Sequence, residues 1–303
     1  MTQHILITGG TGLIGRQLIE HLRSSENGSG LKLSVLTRDP SRAKRLLGHA
    51  AEYVSNEDLN SVDEYTIIIN LAGEPIADKR WTDAQKKRIC ESRWGITEKL
   101  VELIDTATTP PHTFISGSAI GVYGRQGDSV ITESYTDFYD EFSREVCQKW
   151  EDIALRAETK TRVCILRTGV VLSDQGGALA KMLMPFRLGL GGPIGSGKQF
   201  MAWIHINDMI GGIQFLVDNE KLNGIFNFTA PNPNTNHFFS LALARRLERP
   251  CIFKVPAFVL RTLMGESSDL VLYGQKVIPQ RLLDEGYAFQ YPVLKDALAG
   301  LDL

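Results

Sequence analysis

Thr8-Gly9-Gly10-Thr11-Gly12-Leu13-Ile14-Gly15 follows directly on the apolar run His4-Ile5-Leu6-Ile7. The junction reads as strand, glycine loop and helix. Gly9, Gly12 and Gly15 are spaced G-x-x-G-x-x-G. Glycines so placed allow a tight turn, a close approach of backbone to a pyrophosphate, and close packing of helix on strand. A helix beginning near Leu13 directs its free N–H groups at phosphate. The strand before the loop and the helix after it supply the context that a bare glycine pattern lacks. The segment therefore predicts a bound dinucleotide.

The first half of the chain repeats this alternation. Strand patterns fall at 4–8, 31–37, 66–70, 112–116 and 162–168, and helical patterns at 13–24, 40–47, 82–107 and 142–158. Runs such as Thr66-Ile67-Ile68-Ile69 have no polar alternation, as in strands covered on both faces. Alternating units of this kind predict an α/β fold built on a doubly wound parallel sheet. The pattern changes after about residue 172. Gly189 to Gly197 form a glycine-rich loop, and a helix at 207–218 with a strand at 225–228 can return to the main sheet. Pro231 to Asn234 mark a break, and 237–303 mix short helices and strands around Pro250, Pro256, Pro279 and Pro292. We expect a dinucleotide-binding domain of residues 1–172 plus about 205–229. A smaller substrate-side lobe would hold 173–204 and 230–303.

The end of the second strand bears on which dinucleotide binds. NAD selection uses an acid about 20 residues past the glycine loop, bonded to the ribose 2′-hydroxyl. Here Leu33-Ser34-Val35-Leu36-Thr37 ends at Arg38, and a guanidinium suits a 2′-phosphate. Asp39 would be the NAD acid if the strand ended one residue later, and Arg42 is a second candidate phosphate contact. The reading favours NADP over NAD.

Composition narrows the class. The 303 residues carry 33 basic and 35 acidic side chains, a net charge of -2, which gives no reason to expect a nucleic-acid surface. No apolar run approaches the roughly 18 residues of a membrane span. The first strand pattern starts almost at Met1, leaving no room for a signal peptide. Cys90, Cys147, Cys164 and Cys251 are scattered without metal-ligand spacing and read as free thiols in a reducing cytosol. We expect a cytoplasmic protein without a resident metal, whose partner is a small molecule rather than a nucleic acid or a membrane. Helices 82–107 and 142–158 can form a homodimer face. Gly192-Pro193-Ile194-Gly195-Ser196-Gly197-Lys198 matches G-x-x-x-x-G-K, but Gln199 replaces the Mg-binding hydroxyl and no apolar strand precedes it. An NTPase is excluded.

The glycine loop, Asn70-Leu71-Ala72-Gly73 and Ser116-Gly117-Ser118 with Tyr123-Gly124 resemble motifs of the extended short-chain dehydrogenase/reductase superfamily. More narrowly, the chain is similar to an atypical, sugar-nucleotide epimerase-like family. That similarity rests on Asn-Leu-Ala-Gly-Glu-Pro-Ile at 70–76, Lys-Arg-Trp at 79–81, Ser-Arg-Trp at 92–94 and Leu-Arg-Thr-Gly-Val-Val-Leu at 166–172. The run from Pro185 to Gly197, Trp-Ile-His-Ile at 203–206 and Gly-Gln-Lys-Val-Ile-Pro-Gln-Arg at 274–281 complete it. The resemblance implies a Rossmann fold of the extended type with a small C-terminal domain. It carries a cofactor role to Gly9, Gly12, Leu13, Ile14, Arg38, Leu71, Ala72 and Gly73, and places Ser116 near the nicotinamide ribose. Arg167 and Thr168 end a strand on the edge where parallel sheets bind ligands, which adds Arg167 to the expected cofactor contacts.

The chemistry of that superfamily uses a Ser or Thr, a Tyr that exchanges a proton, and a Lys four residues later that holds the ribose and lowers the Tyr pKa. Ser118 fits the first role. The helix that should carry the others reads Phe142-Ser143-Arg144-Glu145-Val146-Cys147-Gln148-Lys149-Trp150-Glu151, with Ser143 at the Tyr position and Cys147 at the Lys position. A further Asn of the set would fall near Gly95. Tyr291-Pro292-Val293-Leu294-Lys295 is a decoy, because Pro292 fits poorly inside a helix. On the substrate side, Arg187, Lys198, Trp203 and His205 could bind an anionic, partly planar molecule such as a nucleotide sugar. Two functions follow. One is an NADP-dependent oxidoreductase or epimerase acting on a small polar substrate through Ser118. The other is an NADP-sensing or regulatory protein with little turnover, for which the resemblance also admits a division-related role.

Overall fold

Apolar strands with no polar alternation are stable only between two layers of helix, and the chain places them there. The computed structural model describes residues 3–24 and 30–303. Strand β1 (Gln3–Thr8) passes through the glycine loop into α1 (Leu13–Ser24), then β2 (Leu31–Thr37), α2 (Pro40–Leu47), β3 (Glu52–Ser55) and β4 (Ile67–Asn70). Next come α3 (Asp83–Thr106), β5 (Thr113–Ala119), β6 (Val130–Ile131), α4 (Phe142–Leu155), β7 (Arg162–Thr168) and β8 (Val170–Leu172). They lead to α5 (Gly177–Arg187), β9 (Phe200–Met201), β10 (Trp203–His205), α6 (Ile206–Asp218), β11 (Gly224–Phe228), β12 (Asn234–Thr235) and α7 (Asn236–Arg246). The short helices α8 (Ala257–Met264) and α9 (Asp269–Leu272), strand β13 (Lys276–Val277), then α10 (Gln280–Asp284) and α11 (Leu294–Ala299) end the chain.

Seven strands form one parallel sheet in the order β11-β7-β5-β4-β1-β2-β3. The chain winds outward in opposite directions from β1 and β4, so the sheet is doubly wound, as the sequence predicts. The switch point leaves a crevice at the carboxyl ends of those two strands. β11 does return to the sheet, beside β7. β3 escapes the sequence reading because its four residues, Glu-Tyr-Val-Ser, make a short, half-exposed edge.

Alternate residues of each strand feed opposite layers. Ile5 and Ile7 pack with Leu18 and Ile19 of α1 and Ile213 of α6. Leu6 and Ile68 pack with Leu100 and Ile104 of α3 and Ile153 of α4. Each such side chain contributes roughly 1.5–3 kcal/mol by leaving water. No helix among the described residues is long and apolar enough to cross a membrane.

A separate core joins α5, α7 and α11 through Leu179, Phe186, Phe239, Leu243, Leu294 and Leu298. Trp203 stands at its centre, fully buried, with Nε1–H donating to Asn234 Oδ1 at 3.1 Å. His205 is also buried; its Nδ1 accepts the Asn207 N–H at 3.1 Å, capping α6, and its ring lies 3.9 Å from that of Tyr291. Both residues are read from the sequence as substrate contacts, and that expectation is corrected. An indole inside a core has no face left for a ligand, and the imidazole, capping through Nδ1 and stacked on Tyr291, is closed off from the surface, its Nε2 without a partner among the described residues.

Burial pushes the His205 pKa down to about 4. The unfolded chain takes up this proton below about pH 6.5 and the folded one does not, so stability is intact above 6.5 and falls as pH drops toward 4. Chemical unfolding measured from neutral to acidic pH should show a loss on the order of 2–3 kcal/mol across that window. His205→Asn, which keeps a cap acceptor, should flatten the slope; an equally steep slope in the variant would refute the assignment.

Candidate functional site

The crevice is built from two backbones that touch. Gly9 has φ 68°, and a Cβ there would stand 2.6 Å from the carbonyl oxygen of Leu71. A Cβ on Gly15 would collide with the carbonyl of Gly9. Gly12 differs: it is exposed, and the Gly9 carbonyl oxygen is the one atom within 4 Å of the place a Cβ would take. The loop is thus closed on the Leu71 segment at Gly9 and on its own backbone at Gly15, and open to the crevice at Gly12. Leu13 and Ile14 begin α1, so their N–H groups have no partner within the helix and point to the same opening. Across the crevice, Ala72 N–H donates to Thr8 Oγ1 at 3.0 Å, which fixes Leu71, Ala72 and Gly73 beside the loop. This floor and helix end suit a pyrophosphate.

Arg38 extends exposed from the end of β2, on the same edge, and has no hydrogen bond or ion pair among the described residues. Asp39 is engaged: its Oδ1 accepts the Arg42 N–H at 2.8 Å and caps α2. The carboxylate that could have served a ribose diol holds a helix end, and the free group is a guanidinium.

Below the crevice lies a buried polar chain. Thr8 Oγ1 donates to Asn70 Oδ1 at 2.7 Å, Asn70 Nδ2 to Thr97 Oγ1 at 2.8 Å, and Trp150 Nε1 to the same hydroxyl at 2.9 Å. Ser116 belongs to this layer. It is fully buried, with Asn70 Nδ2 3.4 Å from its hydroxyl. Its expected place at the cofactor ribose is corrected: it braces strand ends from beneath.

A second polar row crosses the sheet. In β5, β7 and β11 the register sets Ser118 beside Arg167 and Arg167 beside Asn227. Glu151 comes down on this row from α4. Arg167 donates through Nε to Glu151 Oε1 at 2.9 Å and through Nη2 to Oε2 at 2.7 Å. Its Nη1 reaches Tyr123 Oη at 3.1 Å, and Tyr123 donates to Asn227 Oδ1 at 2.7 Å. Ser118 Oγ donates to Glu151 Oε1 at 2.6 Å. Arg167 is 4% exposed and Glu151 2%. The expectation that Arg167 contacts cofactor is corrected, because all three guanidinium nitrogens are committed inside the protein. Burial pushes the Tyr123 pKa up, so its phenol stays neutral.

Ser143, Cys147 and Glu151 share one face of α4, four residues apart, turned to the sheet. Ser143 donates to Glu141 Oε1 at 2.7 Å. Burial pushes the Cys147 thiol up to about 12, so it is no nucleophile. Gly95 faces open space, and α3 presents Arg93 and Thr97 to the crevice side instead. Arg187 and Lys198 are exposed beside the 189–197 loop, and their charged side-chain ends have no hydrogen bond or ion pair among the described residues. No cluster of metal-ligating side chains occurs among the described residues.

Glu151, Arg93 and Asn227 were not singled out from sequence. The clue to Glu151 was available, since it lies four residues beyond Cys147 on the face that meets Ser118. Removing one member of a buried pair strands the other, a loss of about 3–5 kcal/mol. Arg167→Ala and Glu151→Ala should each cost that much in denaturant unfolding, and the double variant much less than the sum. Additive losses would contradict the pairing.

Residues 5–228 match the family described as NAD dependent epimerase/dehydratase, and residues 255–301 match a domain of unknown function, DUF1731. The chain is 38% identical to the chloroplastic epimerase family protein SDR39U1 homolog of Arabidopsis thaliana, covering 98% of this chain and 86% of that one. It is also 38% identical to an epimerase family protein of Staphylococcus saprophyticus, covering 99% of both. Among solved structures it resembles human epimerase family protein SDR39U1 with NADPH, at TM-score 0.89 and 32% identity over 98% of each chain. A nucleoside-diphosphate sugar epimerase from Corynebacterium glutamicum has TM-score 0.77 and 28% identity over 99% of this chain and 58% of that one. A glycine loop closed at Gly9 and open at Gly12, the matching family model and these relatives together establish that the chain belongs to the NAD dependent epimerase/dehydratase family, as an atypical extended short-chain dehydrogenase/reductase.

Proposed function

We propose that the protein binds NADP(H) in the crevice between the glycine loop and residues 71–73, and that it acts as an oxidoreductase or epimerase on a small polar substrate. The carrying observation is the pairing at the end of β2: Arg38 is free while Asp39 is spent on a helix cap. The NADPH in the human relative's structure supports the same choice. The nucleotide-sugar substrate class is supported by the name of the Corynebacterium relative and by the exposed cations Arg187 and Lys198. The cofactor, when bound, supplies the hydride acceptor.

Ser118 is the residue that would meet the substrate oxygen. Its proton is held by Glu151, so the hydroxyl accepts from a substrate alcohol. The dinucleotide-binding unit, residues 1–172 with about 205–229, would supply the cofactor crevice. The lobe of 173–204 and 230–303 would supply the substrate side.

One observation favours a second reading, an NADP sensor with little turnover. Ser143 and Cys147 hold the places of the superfamily's Tyr and Lys, and neither can exchange a proton with a substrate near neutral pH.

Nicotinamide fluorescence titration should show NADPH binding by the wild type. Arg38→Ala should weaken NADPH about tenfold or more and NADH little, since a charge-assisted phosphate contact is lost. Equal loss for both would refute the 2′-phosphate assignment. On a panel of nucleotide sugars, cofactor turnover abolished by Ser118→Ala supports the enzyme. Tight NADPH binding without turnover on the panel supports the sensor.

A further inference from the structure

We propose that Arg93 takes over the cofactor-holding role left open by the missing lysine, donating to the nicotinamide-side ribose of the dinucleotide. The inference rests on the NADP(H) reading above. Arg93 projects from α3 toward the crevice, and its Cζ lies 2.9 Å from the place a Cβ on Gly73 would take. The guanidinium therefore lies on the bare backbone of the segment that forms one crevice wall. On its other side the guanidinium carbon is 5.4 Å from the Trp150 ring. Trp150 in turn packs on Gly117, between Ser116 and Ser118 at the end of β5.

The hydrogen bonding of Arg93 is one-sided. Nη1 donates to the Ile89 carbonyl at 3.0 Å and approaches Ser92 Oγ at 3.4 Å. Nε and Nη2, the atoms nearest Gly73 after Cζ, have no hydrogen-bond partner and Arg93 no ion pair among the described residues. By contrast, Arg167 is committed to Glu151, and Arg162 to Thr113 and the carbonyls of Leu216 and Leu222. A half-buried guanidinium with its inner donors anchored and its outer donors free is a preorganised binding group.

Its position completes the argument. Cys147 occupies the helix position where the superfamily has its lysine, and the Arg93 charge acts on that thiol across the α3–α4 interface. A cation has thus been lost from α4 and one is present beside the same spot on α3. Gly73 is the residue that lets it approach: any side chain there would displace the guanidinium. The Ser-Arg-Trp motif at 92–94, with no function read from the sequence, gains one. Ser92 and Ile89 orient the guanidinium, and Trp94 Nε1 ties α3 to the Val146 carbonyl of α4 at 3.0 Å.

The test compares two ligands on the full-length protein. NADPH spans the whole crevice, whereas adenosine 2′,5′-bisphosphate carries the 2′-phosphate and no nicotinamide half. Arg93→Gln should weaken NADPH about tenfold or more, the loss of a charge-assisted hydrogen bond, and leave the bisphosphate within about twofold. Arg38→Ala should weaken both. Unchanged NADPH affinity in Arg93→Gln overturns the proposal, and so does equal loss for both ligands, which would mark a structural role. If Arg93→Gln does not fold, Arg93→Met serves: it keeps an apolar stem of similar reach without a donor or charge, and NADPH binding equal to wild type overturns the proposal. Failure of the wild type to bind either ligand defeats the NADP(H) reading itself, whereas wild-type binding with an indifferent Arg93 defeats this inference alone.

Discussion

The crevice depends on a contact that only a residue without a side chain can make. The backbone of Gly9 lies on the Leu71 carbonyl, and a Cβ would stand 2.6 Å from that oxygen. This contact brings the start of α1 and the segment after β4 to one edge. Thr8 reinforces it by donating to Asn70 and accepting from Ala72. A dinucleotide needs such an edge: free amides for its phosphates, a wall for its adenosine, and a cation for its 2′-phosphate. The rest of the doubly wound sheet is scaffold for that junction.

Next to this open crevice sits a closed one. The polar row Ser118–Arg167–Asn227 ends strands at the edge where ligands bind, yet Glu151 seals it from above. Two ionised groups so buried are stable only as a pair with their remaining positions bonded. Tyr123 and Ser118 provide those bonds. The cost is chemical freedom: a guanidinium fully engaged cannot grip a phosphate. The row is a buried brace across three strands, with Ser118 at its margin.

The fold was legible because its signals are local. The apolar runs and the glycine spacing each follow from a few adjacent residues, and they placed the central strands and their layers. Edge strand β3 was not legible, since Glu52 to Ser55 are neither apolar nor alternating enough to stand out. The cofactor loop was legible for the same local reason, and Asp39 was resolved only when its cap on Arg42 N–H appeared. Side-chain roles that depend on register were missed. Arg167 and Ser116 look like ligand residues in one dimension, but strand pairing and α4 bury them. Trp203 and His205 failed similarly, because a tryptophan in a glycine-rich neighbourhood reads as a stacking platform until the second core closes over it. Arg93 is the converse case. Its place beside Gly73 depends on how α3 crosses the sheet, which no spacing reveals.

Amide hydrogen exchange with and without NADPH tests the account most directly, because it reports on backbone across the whole molecule at once. Binding in the crevice predicts slower exchange in the glycine loop and first turn of α1, at Arg38 to Arg42, and at Leu71 to Glu74. The core around α7 should not change. Protection confined to the 189–205 region, with the glycine loop unaffected, would contradict the central claim that this loop and the segment after β4 form the dinucleotide site.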